Sequence, residues 1–164
     1  MNLSILLITI ICTMQSMTIF DFKKTSNIDN WTVIDDVVMG GKSYGTFHLN
    51  KEGKGVFKGS VSLENNGGFS SVKYQFKEIK IKQYSKIVLK IKGDGKTYQF
   101  RLKSKSSDSH SYITYFKTTA EWETIKLSLN DFYPTFRGRK LDMPNYDHEN
   151  LEEISFLIGN KTTE

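Results

Sequence analysis

The chain has 164 residues, 38% of them hydrophobic and 13% aromatic, with 2 prolines and 12 glycines. That is enough apolar material for the core of one ordinary domain, and it excludes collagen-like, low-complexity and intrinsically disordered classes. Twenty-three Lys and Arg against 18 Asp and Glu give a net charge of +5, which permits an acidic partner and equally suits lysines on solvated strand faces.

Residues 1–16 read as a signal peptide or N-terminal hydrophobic segment. No charged side chain precedes Asp21, and the apolar run Leu3–Ile11 is about half of the 20 or so residues a membrane-spanning helix needs. The expectation is an exported protein of the periplasm or cell envelope, cleaved near Ser16. The alternative is membrane anchoring, through the uncleaved segment or a lipid on Cys12. Cys12 is the single cysteine, so an internal disulfide framework and a cysteine-based zinc site are excluded.

Residues 17–164 read as one continuous domain. Apart from Asn27–Asn30 and Asn150–Glu153, which suit single turns, the periodicity is close to two. It predicts a short strand at Thr18–Phe22, then strands at Tyr44–Leu49, Val56–Leu63, Phe69–Phe76, Ile87–Lys92, Tyr98–Lys103, Tyr112–Phe116, Glu123–Leu127 and Ile154–Ile158. Turns rich in Gly, Asn, Ser and Asp separate them at Glu52–Gly55, Asn65–Gly68, Lys92–Gly95 and Ser104–Ser109. No segment carries a capped 3.6-residue apolar stripe. Eight or nine short strands mean an all-β sandwich or barrel, with a jelly roll the natural size match.

Three segments break the alternation, and such breaks are where special sites tend to lie. Trp31–Ser43 places Asp35 and Asp36 inside an apolar run, so at least one carboxylate points inward and needs donors or a cation. Its end imitates a phosphate-binding loop, but Asp36 stands where that motif requires glycine. Glu64–Phe69 reads as a tight corner whose two asparagines beside Phe69 suit hydrogen bonding to a sugar or peptide. Phe132–Pro144 reads as a long irregular loop holding both prolines, three aromatics, Arg137 and Arg139. Arg137 or Arg139 is the expected fork-like partner of Asp35 or Asp36.

Catalytic chemistry has little support. His48, His110 and His148 lack metal spacing, no G-x-S-x-G elbow is present, and no catalytic residue, metal or cofactor is assigned. Hydrolysis would require Asp35, Asp36, Glu64, Asp94 and Asp142 to converge. Basic residues on the strands fit a solvated face, and no nucleic-acid partner is expected.

At these segments the sequence resembles the complex I intermediate-associated protein family of the thirty-kilodalton type. The resemblance is carried by Asp35–Ser43, Phe57-Lys-Gly59, Leu63–Ser71, Gly93-Asp-Gly95 with Tyr98 and Arg101, and Pro134–Gly138. It implies a galactose-binding-like jelly-roll β-sandwich, a bacterial exported relative, and a chain stopping before the last strand usual in the family. It also implies a non-catalytic, chaperone-like role in assembling respiratory complex I (NADH:ubiquinone oxidoreductase). The expected partner is a protein client; the alternative is an exported carbohydrate-binding module of the same fold. The expected ligand- or partner-binding residues are Asp35, Asp36, Met39, Gly40, Gly41, Ser43, Asn65, Asn66, Gly67, Gly68, Phe69, Arg101, Tyr133, Phe136 and Arg137, with Asp35 and Asp36 anchoring Arg137 at one end of the sandwich. Membrane proximity enters only through the N-terminal segment.

Overall fold

A computed structural model describes residues 15–159; the hydrophobic run Leu3–Ile11 and Cys12 lie outside them. The strands are β1 (Trp31–Asp35), β2 (Tyr44–Leu49), β3 (Gly55–Ser60), β4 (Ser70–Lys80), β5 (Lys86–Lys92), β6 (Thr97–Lys103), β7 (Ser111–Lys117), β8 (Trp122–Ser128), β9 (Tyr133–Phe136), β10 (Arg139–Lys140) and β11 (Asn150–Ile158). One antiparallel sheet has seven strands in the order β1-β4-β11-β6-β7-β9-β10, and two two-stranded sheets, the hairpin β2-β3 and the non-consecutive pair β5-β8, form the opposing layer.

The period-two pattern explains the layering. Tyr98, Phe100 and Leu102 of β6 face inward and Gln99, Arg101 and Lys103 outward, so that alternate side chains fill the core. Phe47, Phe57, Ile87, Leu89, Ile91, Ile125 and Leu127 of the opposing layer pack with Trp31, Val72, Phe100, Phe116, Ile154 and Phe156 of the large sheet. Trp31 stacks between Phe47 and Tyr74, at 5.0 and 4.8 Å between ring centroids. Thr18–Phe22 is not a strand, yet Ile19, Phe20 and Phe22 pack against this core.

Two further elements differ from the sequence reading. Asn150–Glu153 is not a turn but the start of β11, because the 11-residue β4 offers partners as far as Lys80, pairing Asn150 with Lys80 and Leu151 with Ile79. The segment Phe132–Pro144 is not wholly irregular: β9 and β10 form a tight hairpin within it. Within the opposing layer, β3 pairs only with β2 and β5 only with β8 among the described residues.

Candidate functional site

β1 delivers the two adjacent carboxylates to one end of the sandwich, where Asp35 pairs with Ser70 at the start of β4. The chain then makes a single 3-10 turn, Asp36–Met39, closed by Gly40 at φ 90°. Asp36 is fully buried, at 0% exposure. Its Oδ1 accepts from the Ser43 amide at 2.9 Å, and its Oδ2 from the Ser43 hydroxyl (2.5 Å), the Gly68 amide (2.6 Å) and the Phe69 amide (3.2 Å). Burial alone would push this carboxyl's pKa up; the bonds from Ser43, Gly68 and Phe69 outweigh it and hold the pKa below the ordinary value. Asp35 is half-buried and accepts from the Gly45 amide (2.9 Å) and the Ser70 hydroxyl (2.5 Å). The pair therefore ties three separate stretches of chain, 35–45, 62 and 68–70, into one corner, with Ser62 joined through its amide to the Ser43 hydroxyl at 3.0 Å.

Gly41 and Gly67 leave room for the Asp36 carboxylate, whereas Gly40 and Gly68 supply positive φ. A Cβ on Gly41 would lie 2.2 Å from Asp36 Oδ1, and one on Gly67 2.6 Å from Asp36 Oδ2. Asn65 and Asn66 occupy left-handed backbone at φ 55° and 59°, which asparagine tolerates better than most residues. Their presence is therefore conformational, and the Asn65 amide is spent donating to the Gly40 carbonyl at 3.1 Å. The Lys42–Glu64 ion pair spans the same two loops.

On this rigid base the corner presents apolar side chains to solvent. Val37, Val38 and Met39 are 61%, 76% and 60% exposed, and Tyr44 and Leu63, in the adjoining segments, are also exposed. Sequence reasoning included Met39 but missed Val37 and Val38, because an apolar run reads as buried until the 3-10 turn is known to point it outward.

Arg137 does not meet the aspartates. β9 lies five strand positions from β1, about 24 Å at ordinary strand spacing, and Thr135 pairs with Ser111 at the opposite end of the sheet from Asp35. Arg137 (φ 49°) and Gly138 (φ 76°) are instead the two central residues of the β9–β10 turn, and the Arg137 guanidinium lies over the Phe136 ring at 5.3 Å. Arg139 likewise pairs across the hairpin, with Phe136.

Arg101 and Tyr133 belong to a second arrangement, the outer face of the large sheet. One row there runs Thr32, Lys73, Ser155, Arg101, Ile113, Tyr133. A groove of about 260 Å³ on this face is lined by Phe69, Ser71, Lys73, Arg101, Glu153 and Ser155 among others. Arg101 donates through Nε (3.0 Å) and Nη2 (2.7 Å) to Gln99 Oε1, and burial lowers its pKa, partly opposed by Tyr115. Glu153, 5% exposed, accepts from Gln75 Nε2 at 2.7 Å. Gln99 in turn donates to the Tyr115 hydroxyl at 2.9 Å. Phe69 joins the two arrangements, since its amide binds Asp36 while the residue lines the groove. Gln99 and Tyr115 escaped sequence reasoning because their register opposite one another is set only by the β6–β7 pairing.

Four of the five acids considered for hydrolysis are engaged: Asp35 and Asp36 by corner donors, Glu64 with Lys42, and Asp94 with Lys96 at 3.1 Å. No three His, Cys, Asp or Glu side chains gather as metal ligands among the described residues.

The family model for complex I intermediate-associated protein 30 matches residues 20–164. The chain belongs to this family. Mitochondrial complex I intermediate-associated protein 30 of Drosophila melanogaster is 27% identical over 150 residues, covering 78% of this chain and 51% of the relative, and the Mus musculus protein is 19% identical over 170 residues, covering 90% and 52%. The chain thus spans about half the length of these relatives. The fold is that of galactose-binding-like jelly-roll sandwiches. The family 11 carbohydrate-binding module of a Clostridium thermocellum cellulosomal cellulase matches with a TM-score of 0.63, 19% identity and coverage of 86% and 85% of the two chains. The Clostridium thermocellum module solved with a mixed-linked β-1,3-1,4 tetrasaccharide gives 0.61 at 18% identity, covering 85% of each chain. In this complex I intermediate-associated protein 30 family member, two of the segments that carry the resemblance, Asp35–Ser43 and Leu63–Ser71, build the Asp36 corner.

Proposed function

We propose that the chain is a non-catalytic protein-binding module, a chaperone-like assembly factor for subunits of respiratory complex I, and that the Asp36 corner is its contact surface. The observation that carries this reading is the corner's construction: three consecutive apolar residues, Val37, Val38 and Met39, are held at 60% exposure or more above a buried, four-fold hydrogen-bonded carboxylate. Apolar side chains presented rigidly to water mark association surfaces, because their burial by a partner releases hydration free energy with little ordering cost. Family membership supports a protein subunit as the client. The test is co-purification with subunits of NADH:ubiquinone oxidoreductase. Val38→Asp with Met39→Lys should abolish it while the thermal midpoint is unchanged; retention of the subunits by that variant would sink the reading.

A second reading, an exported carbohydrate-binding module, is favoured by the polar groove around Arg101, with Tyr115 and Tyr133 on the same sheet face, and by the likeness of fold. Binding of a mixed-linked β-glucan that Tyr115→Ala and Arg101→Ala both abolish would establish it in place of the first. Export rests on the apolar Leu3–Ile11 run, and mass spectrometry of the mature N-terminus, expected near Met17, tests it.

A further inference from the structure

The second layer of the sandwich is open along its middle. A cleft of about 1730 Å³ runs between the two small sheets, lined by every residue of β5, by five consecutive residues of β3, Gly55–Gly59, and by residues 15–22. Both faces of each strand and the backbone edge between them therefore meet the cleft. Each edge is unpaired on that side among the described residues, leaving a row of amide and carbonyl groups of the kind that pairs with added strands. The floor is the core itself: Phe100, Phe116 and Phe156 line the cleft. Its volume exceeds the roughly 300–1,000 Å³ of small-molecule pockets, and its two long edges suit an extended backbone. At one end the gap is spanned by the Lys54 ammonium over the Trp122 ring, 5.9 Å from its centroid.

The side chains along the edges specify what fits. Toward the core stand Phe57, Ile87, Leu89 and Ile91. Toward solvent stand Lys58, Lys86, Lys90 and Lys92, all exposed, and none of them forms an ion pair among the described residues. Of the three acids that line the cleft, Asp21 and Asp94 are paired elsewhere, with Lys23 at 3.7 Å and Lys96 at 3.1 Å, and Glu52 stands beside Lys54 at the β3 end. We infer that the opening between β3 and β5 is an acceptor slot for one extended strand of a partner polypeptide, with alternate residues apolar toward the core and acidic toward the lysines. Main-chain bonds to both edges supply affinity, and the alternation supplies register and choice of partner. Neither stretch of this sequence outside the described residues has that pattern: Leu3–Ile11 contains no acid, and 160–164, Asn-Lys-Thr-Thr-Glu, contains no large apolar residue. The slot is distinct from the Val37–Met39 surface, so the two stand or fall separately.

The test uses the full chain and a labelled eight-residue peptide in which Phe, Leu and Ile alternate with Glu and Asp. Its control is an isomer of the same composition with all apolar residues preceding all acids. Fluorescence anisotropy should give at least tenfold tighter binding for the alternating peptide, and hydrogen exchange should slow over 55–60 and 86–92. Lys90→Glu with Lys92→Glu should weaken binding tenfold or more, whereas Val38→Asp should leave it unchanged. Equal binding of the two isomers, absence of binding at millimolar peptide, or protection confined to the Asp36 corner or the Arg101 groove would overturn the inference. So would protection of both edges that appears on raising protein concentration alone, since the occupant would then be a second copy.

Discussion

Asp36 shows what a single side chain can hold together. A buried carboxylate is costly without donors, and four surround this one. Asp36→Ala removes the acceptor and strands buried N–H groups, so unfolding by urea should show a loss of roughly 3 kcal/mol or more. Asp36→Asn keeps the shape but faces an amide NH₂ or a weaker carbonyl toward the same donors. Because the folded carboxyl has a lowered pKa, its contribution is fully present above the unfolded value of about 4 and is lost as pH falls through the folded value. The stability gap between the natural chain and Asp36→Asn should therefore be wide at pH 6 and shrink toward pH 2. A gap constant over that range would show that the charge is not what the donors recognise. Gly41→Ala is a sharper probe of the same corner: its Cβ would sit 2.2 Å from Asp36 Oδ1, so the loop must shift, at a cost of about 2–3 kcal/mol. With the base displaced, any partner bound at Val37–Met39 should be lost too.

At the scale of elements, the β9–β10 hairpin corrects the most specific expectation. A two-residue hairpin turn of type I′ needs positive φ at both central positions, and Asn-Gly is the favoured pair. Here the pair is Arg137-Gly138, so the arginine is under backbone strain, and its guanidinium rests on Phe136 rather than on an aspartate. Arg137→Asn should raise stability by about 0.5–1 kcal/mol in thermal unfolding, since asparagine enters left-handed backbone more readily. Had Arg137 been the partner of Asp35, the same change would destabilise. The turn between β5 and β6 uses another device. A Cβ on Gly93 would fall 2.1 Å from Thr118 Cβ, and the Thr118 hydroxyl donates to the Lys96 carbonyl at 3.0 Å and accepts from the Asp94 and Gly95 amides at 3.3 and 3.2 Å. The Gly-Asp-Gly segment is thus a packed tie between two strand ends.

For the whole molecule, stability is concentrated in one layer. β11 and β6 lie inside the seven-stranded sheet and pair on both sides, while Leu151, Phe100 and Leu102 are completely buried. β3 and β5 pair on one side only among the described residues. Hydrogen exchange should therefore be slowest in β6 and β11, and the cleft-facing amides of β3 and β5 should exchange roughly a thousandfold faster. Uniform protection across both layers would contradict this division. The lysines along that opening also give the net charge of +5 a local meaning, because Lys58, Lys86, Lys90 and Lys92 form no ion pair among the described residues and line the gap in the second layer.

The sequence by itself determined the all-β class, most of the strands, the turns and the importance of Asp35, Asp36 and the glycine-rich corner. These are local matters: period-two alternation, turn chemistry and the cost of burying a carboxylate act within a few residues. Only the tertiary structure decided which distant groups meet. It placed Arg137 across the sheet from Asp35, gave Asp36 the Gly68 and Phe69 amides 32 and 33 residues away, and drew Arg101 and Tyr133 into a row on the outer face. It also turned Val37 and Val38 outward and left one edge each of β3 and β5 unpaired among the described residues. Strand order depends on contacts far apart in sequence and summed over whole sheets, so no single segment carries the information that fixes it.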